Sequence, residues 1–361
     1  MYRELQKKLD IYLAKGLKNK VFSGCSIGFF KVVDKRIDKD IFYYGENQFG
    51  SDAVPVDERT IFDLASLTKP LVTSLCILAL VEEGKISLEG SLKLFFNQVN
   101  EKAKNITIFQ LLNHTSGFPA HCPYYLDLLL LEKGSRFSQL EALILKEKII
   151  SPPGTMSVYS DLGYILLGRI IEKVTGDSLD SYWSRKIIAP LQLAEGLFFT
   201  NNRNADTRVY ATTGNCVWSK KKLSGIVHDD NCRAVGGVAG HAGLFGTTTG
   251  LLSFCENVVL LYKGLYQHPS ISNHTFKHHI DNKVMNRRFG FDIPTGDNSS
   301  SGRYYSDCAI GHLGFTGTSF WLDLIKGIGI VFLTNRVYCG KDVESIKKLR
   351  PLVHDTIMEI L

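Results

Sequence analysis

Segments with the composition of β-strands lie near both ends of this chain, and segments with helical character lie between them. The early strand-like runs, rich in Phe, Val, Ile and Tyr, cover 21–33 and 40–44, and the late ones cover 318–324 and 328–334. Lys326-Gly327 separates the two late runs and is typical of a hairpin connection. The simplest fold that buries all four runs pairs the two ends of the chain in one antiparallel sheet.

Helical spacing or helical composition marks both termini and most of the middle of the chain. Helices are predicted over 2–16, 70–83, 106–113, 138–149, 160–175, 178–189 and 343–361. By contrast, the segment 200–250 is rich in Gly, Thr and Asn, which indicates long ordered loops.

Together these positions predict an α/β fold of the α+β type. An antiparallel sheet built from the N- and C-terminal strands would be flanked by helices, with a mostly helical lobe inserted between its halves. The expected boundaries are 1–62 with 307–361 for the sheet lobe and 63–306 for the helical lobe, the two forming one unit. A cleft between such lobes is a common place for a functional site.

Composition excludes several classes of protein. The 361 residues are 44% hydrophobic and 22% charged, which is typical of a globular chain and not of a disordered one. The net charge of +6 is spread out, and the only short basic run is 220–222, so we expect no nucleic-acid partner. No apolar run reaches the roughly 18 residues of a membrane span, so we expect no transmembrane segment.

The N-terminal segment alternates charged and apolar residues and lacks the apolar stretch of a secretory signal. This favours a cytoplasmic location, with a periplasmic one left open in case a leader was removed. The eight cysteines are scattered without a C-x-x-C pair, and in a cytoplasmic protein they would be reduced. Whether any of them pair, and the oligomeric state, stay open.

Ser66 and Lys69 form an S-x-x-K pattern just before a long apolar helical run. Residues three apart share a helix face, so the Lys69 amine can reach the Ser66 hydroxyl. In a first turn, free N–H groups and the helix dipole favour a developing negative oxygen. Poor solvation lowers the pKa of an amine, so we expect Lys69 to accept the serine proton. The alternative is a serine that only caps the helix.

The same four-residue pattern occurs twice more. Ser219 and Lys222 lie in a lysine-rich segment that no apolar helix follows, and Ser345 and Lys348 lie on the polar face of the last predicted helix. We interpret both pairs as solvated surface.

Tyr159 lies at a predicted junction between a loop and a helix, where its hydroxyl can face a cleft. Beside a lysine, a phenol can take the proton of a nucleophile and later return it to a leaving group. The alternative is a half-buried tyrosine with Ser160 or Asp161 as the helix cap.

The glycine-rich stretch 311–318 leads into a late strand and lets a strand edge approach a ligand closely. One of its N–H groups, with that of Ser66, could form an oxyanion hole, and His312 would add a polar or cationic group. The alternative is a glycine-rich edge strand with a satisfied histidine. His114 and His121 are interpreted as structural or surface residues.

In order and spacing, three stretches resemble the motifs of the serine β-lactamase and penicillin-binding-protein superfamily, in particular its class C-like branch of esterases and DD-peptidases. They are Ser66-Leu67-Thr68-Lys69, Tyr159-Ser160-Asp161 and His312-Leu313-Gly314. The resemblance extends over about 20–340. It implies the β-lactamase/transpeptidase fold and an acyl-enzyme mechanism without cofactor or metal.

The resemblance implies a role for each matched residue. Ser66 would be the acylated nucleophile, and Lys69 and Tyr159 would manage its proton. The N–H groups of Ser66 and Phe315 would form the oxyanion hole. The substrate side of the cleft would include Gly314, His241, Asp161 and His312, with the histidine in place of a lysine.

Asp161 departs from the asparagine that many members of the superfamily have at this position. An ionised aspartate only accepts hydrogen bonds, so it suits a substrate that offers N–H, O–H or a positive charge. This departure and His312 lower the expectation of an efficient β-lactamase.

The expected function is therefore hydrolysis of an ester or amide through an acyl-enzyme. The partner would be a small ester, amide or peptidoglycan-derived molecule, acted on by an esterase or by a cell-wall-fragment amidase or peptidase. DD-carboxypeptidase or β-lactamase activity and a slowly acylated or non-catalytic sensor remain alternatives. A metal-dependent hydrolase using His228, Cys232 and His241 is less favoured, because their spacing matches no standard zinc site.

Overall fold

The computed structural model describes residues 2–33, 36–201, 207–296, 299–340 and 343–361. The helices in this part of the chain are α1 Tyr2–Lys18, α2 Leu75–Glu82, α3 Ile108–Leu112, α4 Tyr125–Leu128, α5 Arg136–Lys146, α6 Asp161–Thr175, α7 Leu179–Trp183, α8 Asp230–Ala234, α9 Thr248–Tyr262, α10 Asn273–Asp281 and α11 Glu344–Met358. The strands are β1 Gly24–Val33, β2 Arg36–Gly45, β3 Phe62–Asp63, β4 Leu197–Phe199, β5 Gly214–Asn215, β6 Lys222–Leu223, β7 Leu244–Gly246, β8 Arg287–Arg288, β9 Phe291–Asp292, β10 Ala309–Leu313, β11 Ser319–Asp323 and β12 Ile328–Thr334.

The main sheet joins the two ends of the chain. Its seven strands follow the order β2-β1-β12-β11-β10-β9-β8, and every neighbouring pair is antiparallel. Cys25 of β1 lies opposite Thr334 of β12, so an early and a late strand are direct neighbours inside the sheet. The predicted fold class is confirmed, and Lys326-Gly327 joins β11 to β12 as expected.

Both faces of the sheet are covered, because successive side chains of a strand point to opposite sides. Ile330 and Phe332 of β12 pack in the cluster that contains Leu9 of α1 and Val353 of α11. Val331 packs on the other side, in the larger cluster that includes Leu251 of α9 and the helical region. The buried run of β12 therefore serves two cores.

Several predicted boundaries differ from the structure. The segment 200–250 contains short elements, β5 to β7 and α8, and not only loops. Helix α9 was not predicted, because most of its sides are buried and apolar and it lacks an amphipathic period. Strands β8 and β9 extend the main sheet from inside the predicted helical segment 63–306. The proposed division into lobes stays a prediction.

The apolar segment after Ser66 is a core element. Residues Lys69–Ser74 form a π-helical segment with Pro70 in its first turn, and this segment continues into α2. The helical stretch Ala65–Glu82 is long and apolar enough to cross a bilayer, contrary to the expectation from apolar runs. However, 83% of it is buried inside the fold, which is typical of the central helix of a folded domain.

Candidate active site

Ser66 is set apart by its exposure. Among residues 60–80 it is the one position that is not buried. A polar side chain that reaches solvent from such a segment needs a reason, because its neighbours are packed as core. Ser66 is therefore the point at which this core segment reaches solvent.

A sharp turn presents Ser66. Ala65 adopts a φ of +48°, a left-handed conformation that is costly for any residue with a Cβ atom. The buried carboxylate of Asp63 holds this turn by accepting hydrogen bonds from the N–H groups of Ala65 at 2.9 Å and His228 at 2.8 Å. Burial raises the pKa of Asp63 to about 6.

Lys69 is fully buried and makes three polar contacts. Its ammonium lies 3.0 Å from Ser66 Oγ, 2.7 Å from Asp161 Oδ1 and 3.1 Å from the carbonyl oxygen of His241. An ammonium has three protons, so these three acceptors satisfy it completely.

The charge state of Lys69 differs from the prediction. Burial lowers its pKa, but the carboxylate of Asp161, together with Tyr159, outweighs burial and leaves the pKa raised. The expectation that poor solvation lowers the Lys69 pKa is therefore wrong. In the resting site Lys69 donates to Ser66 Oγ, and Asp161 favours its charged form.

Asp161 is the first residue of α6, but it does not cap the helix. Ser160 is the N-cap, since its hydroxyl oxygen accepts from the N–H of Gly163 at 3.4 Å. The Asp161 carboxylate faces Lys69 and also lies 3.4 Å from Nδ1 of His121. Burial raises the pKa of Asp161, but Lys69 outweighs it, so the pKa is lowered and the carboxylate is ionised.

Two histidines that were interpreted together have different positions. His121 is half-exposed, in agreement with its interpretation as a structural or surface residue, and its Nδ1 lies beside the carboxylate of Asp161. His114 is structural, as predicted. Its carbonyl oxygen accepts from the N–H of Val158 and its Nδ1 accepts from the N–H of Ser160. His114 therefore fixes the backbone immediately before and immediately after Tyr159.

Tyr159 lies within the site, next to positive groups. The ammonium nitrogen of Lys69 is 4.7 Å from the centre of its ring. The rings of His114 and His312 are 4.6 Å and 5.9 Å away, and the guanidinium of Arg287 is 5.3 Å away. The structure therefore brings together the three predicted catalytic residues, and it adds Arg287, to which no motif pointed.

His312 is buried and uncharged. Burial, followed by the charges of Arg287 and Lys69, holds its pKa well below the usual range. Its Nδ1 lies 2.9 Å from the carbonyl oxygen of Leu313, so Nδ1 carries the proton and donates it. Of the polar or cationic group expected at this position, the structure gives the polar, uncharged one.

The turn between β10 and β11 is fastened to the residues that precede Ser66. The hydroxyl of Thr316 donates to the carbonyl of Asp63 at 2.7 Å, and that of Thr318 donates to the carbonyl of Leu64 at 3.3 Å. A Cβ atom on Gly314 would lie 2.0 Å from Thr318 Oγ1, so the close approach requires glycine here. These bonds place the Phe315 backbone beside the Ser66 turn, and the oxyanion role of the two N–H groups stays a prediction.

Phe315 forms part of the rim of the cleft. Its side chain is 63% exposed, although the guanidinium of Arg336 and the ring of His228 pack against it at 5.1 Å and 5.7 Å. Arg336 also donates to the Phe315 carbonyl. The peptide of this exposed residue is therefore held by a buried arginine.

His241 and Asp229 form a buried pair below Lys69. His241 Nε2 lies 2.9 Å from Asp229 Oδ1, which also accepts the N–H of Cys232 at 2.7 Å. His241 itself is only 1% exposed, so it meets the site through its carbonyl oxygen and through Asp229.

No metal is assigned to the cleft. His228 faces Phe315, the thiol of Cys232 contacts the carbonyl of Ala242, and burial raises the pKa of that thiol well above the usual range. Ligand atoms of His121, Asp161 and Asp229 lie within 4.8 Å of one another, close enough to hold an ion by distance alone. Both carboxylates, however, already face Lys69 and His241. The absence of a metal stays a prediction.

Most of the chain is similar to known proteins. A family model described as Beta-lactamase matches residues 41–354. Over 339 residues the chain is 30% identical to "N-acetylmuramyl-L-alanine amidase" of Bacillus subtilis (strain 168), which covers 84% of this chain and 76% of that protein. Over 306 residues it is 32% identical to "Putative D-alanyl-D-alanine carboxypeptidase" of Salmonella typhi, which covers 77% of this chain and 70% of that protein.

The fold is similar to that of solved structures. The crystal structure of Beta-Lactamase/D-Alanine Carboxypeptidase from Pseudomonas syringae superposes with a TM-score of 0.74 over 98% of this chain and 99% of that one. The two sequences are 18% identical, so this likeness concerns the fold alone.

Proposed function

This chain belongs to the beta-lactamase family and is a serine hydrolase, and from that premise we propose that it cleaves an amide bond of a peptidoglycan fragment through an acyl-enzyme on Ser66. The observation that carries the proposal is the setting of Ser66. It is half-buried while every other residue of 60–80 is fully buried, and its hydroxyl lies 3.0 Å from the buried ammonium of Lys69.

Tyr159 is the base in this proposal, because Lys69 already holds its proton. In the first half-reaction the Tyr159 oxygen, as phenolate, takes the proton of Ser66 Oγ while Oγ bonds to the carbonyl carbon. The carbonyl π electrons move to its oxygen, between the N–H groups of Ser66 and Phe315. When the tetrahedral intermediate collapses, the carbon–nitrogen bond breaks and Tyr159 returns its proton to the leaving amine.

Water completes the cycle by the reverse sequence. Tyr159 takes a proton from the attacking water, the oxygen of that water bonds to the acyl carbon, and the bond to Ser66 Oγ breaks. The proton on Tyr159 then returns to Ser66 Oγ. Throughout, Lys69 keeps its charge and stabilises the negative oxygen of whichever group has lost a proton.

The charges around the cleft favour an internal amide over a substrate with a carboxylate beside the scissile bond. DD-carboxypeptidase substrates and β-lactams carry such a carboxylate and need a cation for it. His312 is uncharged, and Arg287 is buried and paired with Asp292. The amidase name of the Bacillus subtilis relative supports the same choice.

The test compares three substrates with one nucleophile variant. We expect the enzyme to release the dipeptide from N-acetylmuramyl-L-alanyl-D-isoglutamine faster than it releases D-alanine from a peptide ending in D-alanyl-D-alanine. Hydrolysis of p-nitrophenyl acetate is the third assay. This activated ester reports on the nucleophile even when the enzyme does not recognise the rest of the molecule.

The variant Ser66→Ala should lose at least about a thousand-fold in all activities, because a covalent intermediate can no longer form. Ser345→Ala, in the S-x-x-K pattern of α11, is the matched control and should keep wild-type activity. Retained hydrolysis in Ser66→Ala would refute the mechanism. Faster release of D-alanine than of the dipeptide would replace the amidase with a carboxypeptidase.

A cytoplasmic location is part of this proposal. All eight cysteines are free thiols, which is usual for proteins of a reducing compartment. Fractionation of cells should place the protein with cytoplasmic markers, and its recovery with periplasmic markers would contradict this.

A further inference from the structure

Arg287 is a buried cation whose position the family motifs do not explain. It lies in the two-residue strand β8 at the edge of the main sheet and is only 7% exposed. A buried guanidinium is costly unless it is paired, and Asp292 of the neighbouring strand β9 pairs with it. The pair explains how the charge is tolerated, but it does not explain which way the guanidinium faces.

The guanidinium faces the ring of Tyr159. Its central carbon lies 5.3 Å from the ring centre, and the ammonium of Lys69 lies 4.7 Å from the same centre. Both distances are within the range of about 6 Å in which a cation is attracted to an aromatic ring. Tyr159 is thus in contact with two positive charges from separate parts of the chain.

Each of these two charges has a carboxylate partner, Asp161 for Lys69 and Asp292 for Arg287, and the rings packed around Tyr159 add no further charge. Burial first, and then Arg287, holds the pKa of both His114 and His312 well below the usual range, so both rings are neutral. Asp161, two residues further along the chain, is engaged by Lys69. Tyr164, on the other side of His114, is a neutral phenol whose pKa burial raises to about 12.

We propose that Arg287 is a positioning residue that acts through Tyr159, stabilising negative charge on the tyrosine oxygen while that oxygen holds no proton. The inference rests on the proposed function, in which Tyr159 takes the proton of Ser66. Arg287 thereby supplies the positive charge that the neutral His312 cannot supply. The low-pH limb of the activity profile then depends on Arg287.

Direct recognition of substrate by Arg287 is a weaker explanation. Its side chain is 8% exposed and is held by Asp292, so little of the guanidinium is available to a ligand. An effect through the ring requires no such access.

The test uses Arg287→Gln with the next residue as its control. Arg288 is equally buried, but its guanidinium donates to the carbonyl oxygens of Ile280, Asp281 and Asp307. The readout is the pH profile of kcat for p-nitrophenyl acetate, with thermal melting to compare folding. In Arg287→Gln we expect the low-pH limb to move upward by about one pH unit or more. Arg287→Lys should move it less, and Arg288→Gln should leave it in place.

A second variant moves the limb in the opposite direction and covers the case in which Arg287→Gln does not fold. Asp292→Asn removes the carboxylate that offsets the guanidinium, so more positive charge faces Tyr159 and the limb should move to lower pH. An upward shift in Asp292→Asn would overturn the inference. So would an unchanged limb in a folded Arg287→Gln, or equal shifts in Arg287→Gln and Arg288→Gln.

These outcomes are distinct from failure of the proposed function. If wild type hydrolyses the ester and Ser66→Ala does not, Ser66 is established as the nucleophile. The pH of the low-pH limb in Arg287→Gln then tests the role of Arg287. If Ser66→Ala retains the activity of wild type, the proposed function fails, and the inference about Arg287 fails with it.

Discussion

Two helical regions of this molecule carry a serine three residues before a lysine, and their surroundings differ in almost every respect. At the first, Lys69 is fully buried and touches Ser66, Asp161 and the His241 carbonyl. At the second, Lys348 on α11 is exposed beside the half-buried Ser345. The pattern brings the two side chains onto one helix face in both places. Within the described part of the chain, the first place alone buries its lysine and pairs it with a carboxylate.

The comparison shows what turns proximity into chemistry. A buried ammonium must have its hydrogen-bond acceptors in place before substrate arrives, because removing it from water is costly. Those fixed acceptors also fix its charge and its direction toward Ser66. A surface lysine is solvated and mobile, so it offers a neighbouring hydroxyl no such preorganised contact.

The largest expected effect separates the two lysines. Lys69→Ala should lower kcat/KM about a thousand-fold, because the charge that stabilises the deprotonated groups is removed. Lys348→Ala should retain wild-type kcat/KM and the wild-type melting curve. Steady-state kinetics with p-nitrophenyl acetate, run beside thermal melting, measures both. Similar losses in the two variants would show that the pattern, and not its burial, determines activity.

A smaller effect concerns Asp161, the carboxylate partner of Lys69 at the first pattern. In Asp161→Asn, burial is no longer outweighed by a negative partner, so the pKa of Lys69 should fall. Lys69 then loses its proton at lower pH, and the alkaline limb of kcat/KM should move to lower pH, with about a ten-fold loss of rate at neutral pH. Asp180→Asn, in the first turn of α7, is the matched control. A limb that stays in place in Asp161→Asn would show that Asp161 does not set the charge of Lys69.

The smallest effect on activity is expected for a change at His354 of α11, because this residue is expected to affect the free energy of unfolding and not the reaction. Burial lowers the pKa of His354 from 6.5 to about 3 in the folded protein. The unfolded chain therefore binds a proton at His354 more readily than the folded protein does. Above pH ~6.5 the histidine is neutral in both states and costs no stability. As pH falls from about 6.5 toward 3, the free energy of unfolding decreases. The difference in unfolding free energy across this window is on the order of 5 kcal/mol.

His354→Asn can keep the hydrogen bond to the Ser301 carbonyl but cannot titrate. Urea unfolding between pH 7 and 4 should show a shallower loss of stability in this variant than in wild type, while kcat changes little. Equal slopes in the two proteins would contradict the assignment.

The sequence predicted the parts of this molecule that depend on local pattern. The strand-like runs at both ends identified the main sheet, because few folds bury such distant apolar segments without pairing them. The three motifs also converge on one cleft, and Ser66, Lys69 and Tyr159 lie together there.

The parts that were missed depend on contacts between distant residues. The sign of the Lys69 pKa shift follows from Asp161, and the two are far apart in sequence. Arg287 and His121 reach the cleft from segments without a recognisable motif. The only available signal for Asp161 was its departure from asparagine, which indicated altered chemistry but not its partner.

The pairing of β1 with β12 also sets the order in which this protein can mature during synthesis. β1 leaves the ribosome long before its partner strand at Ile328–Thr334 has been made, so one edge of β1 has no native neighbour for most of translation. Contacts of such long sequence separation form late and slowly. The turn that fastens Phe315 beside Ser66 belongs to the same late segment, so a nascent chain carries its nucleophile well before it can carry out a single turnover.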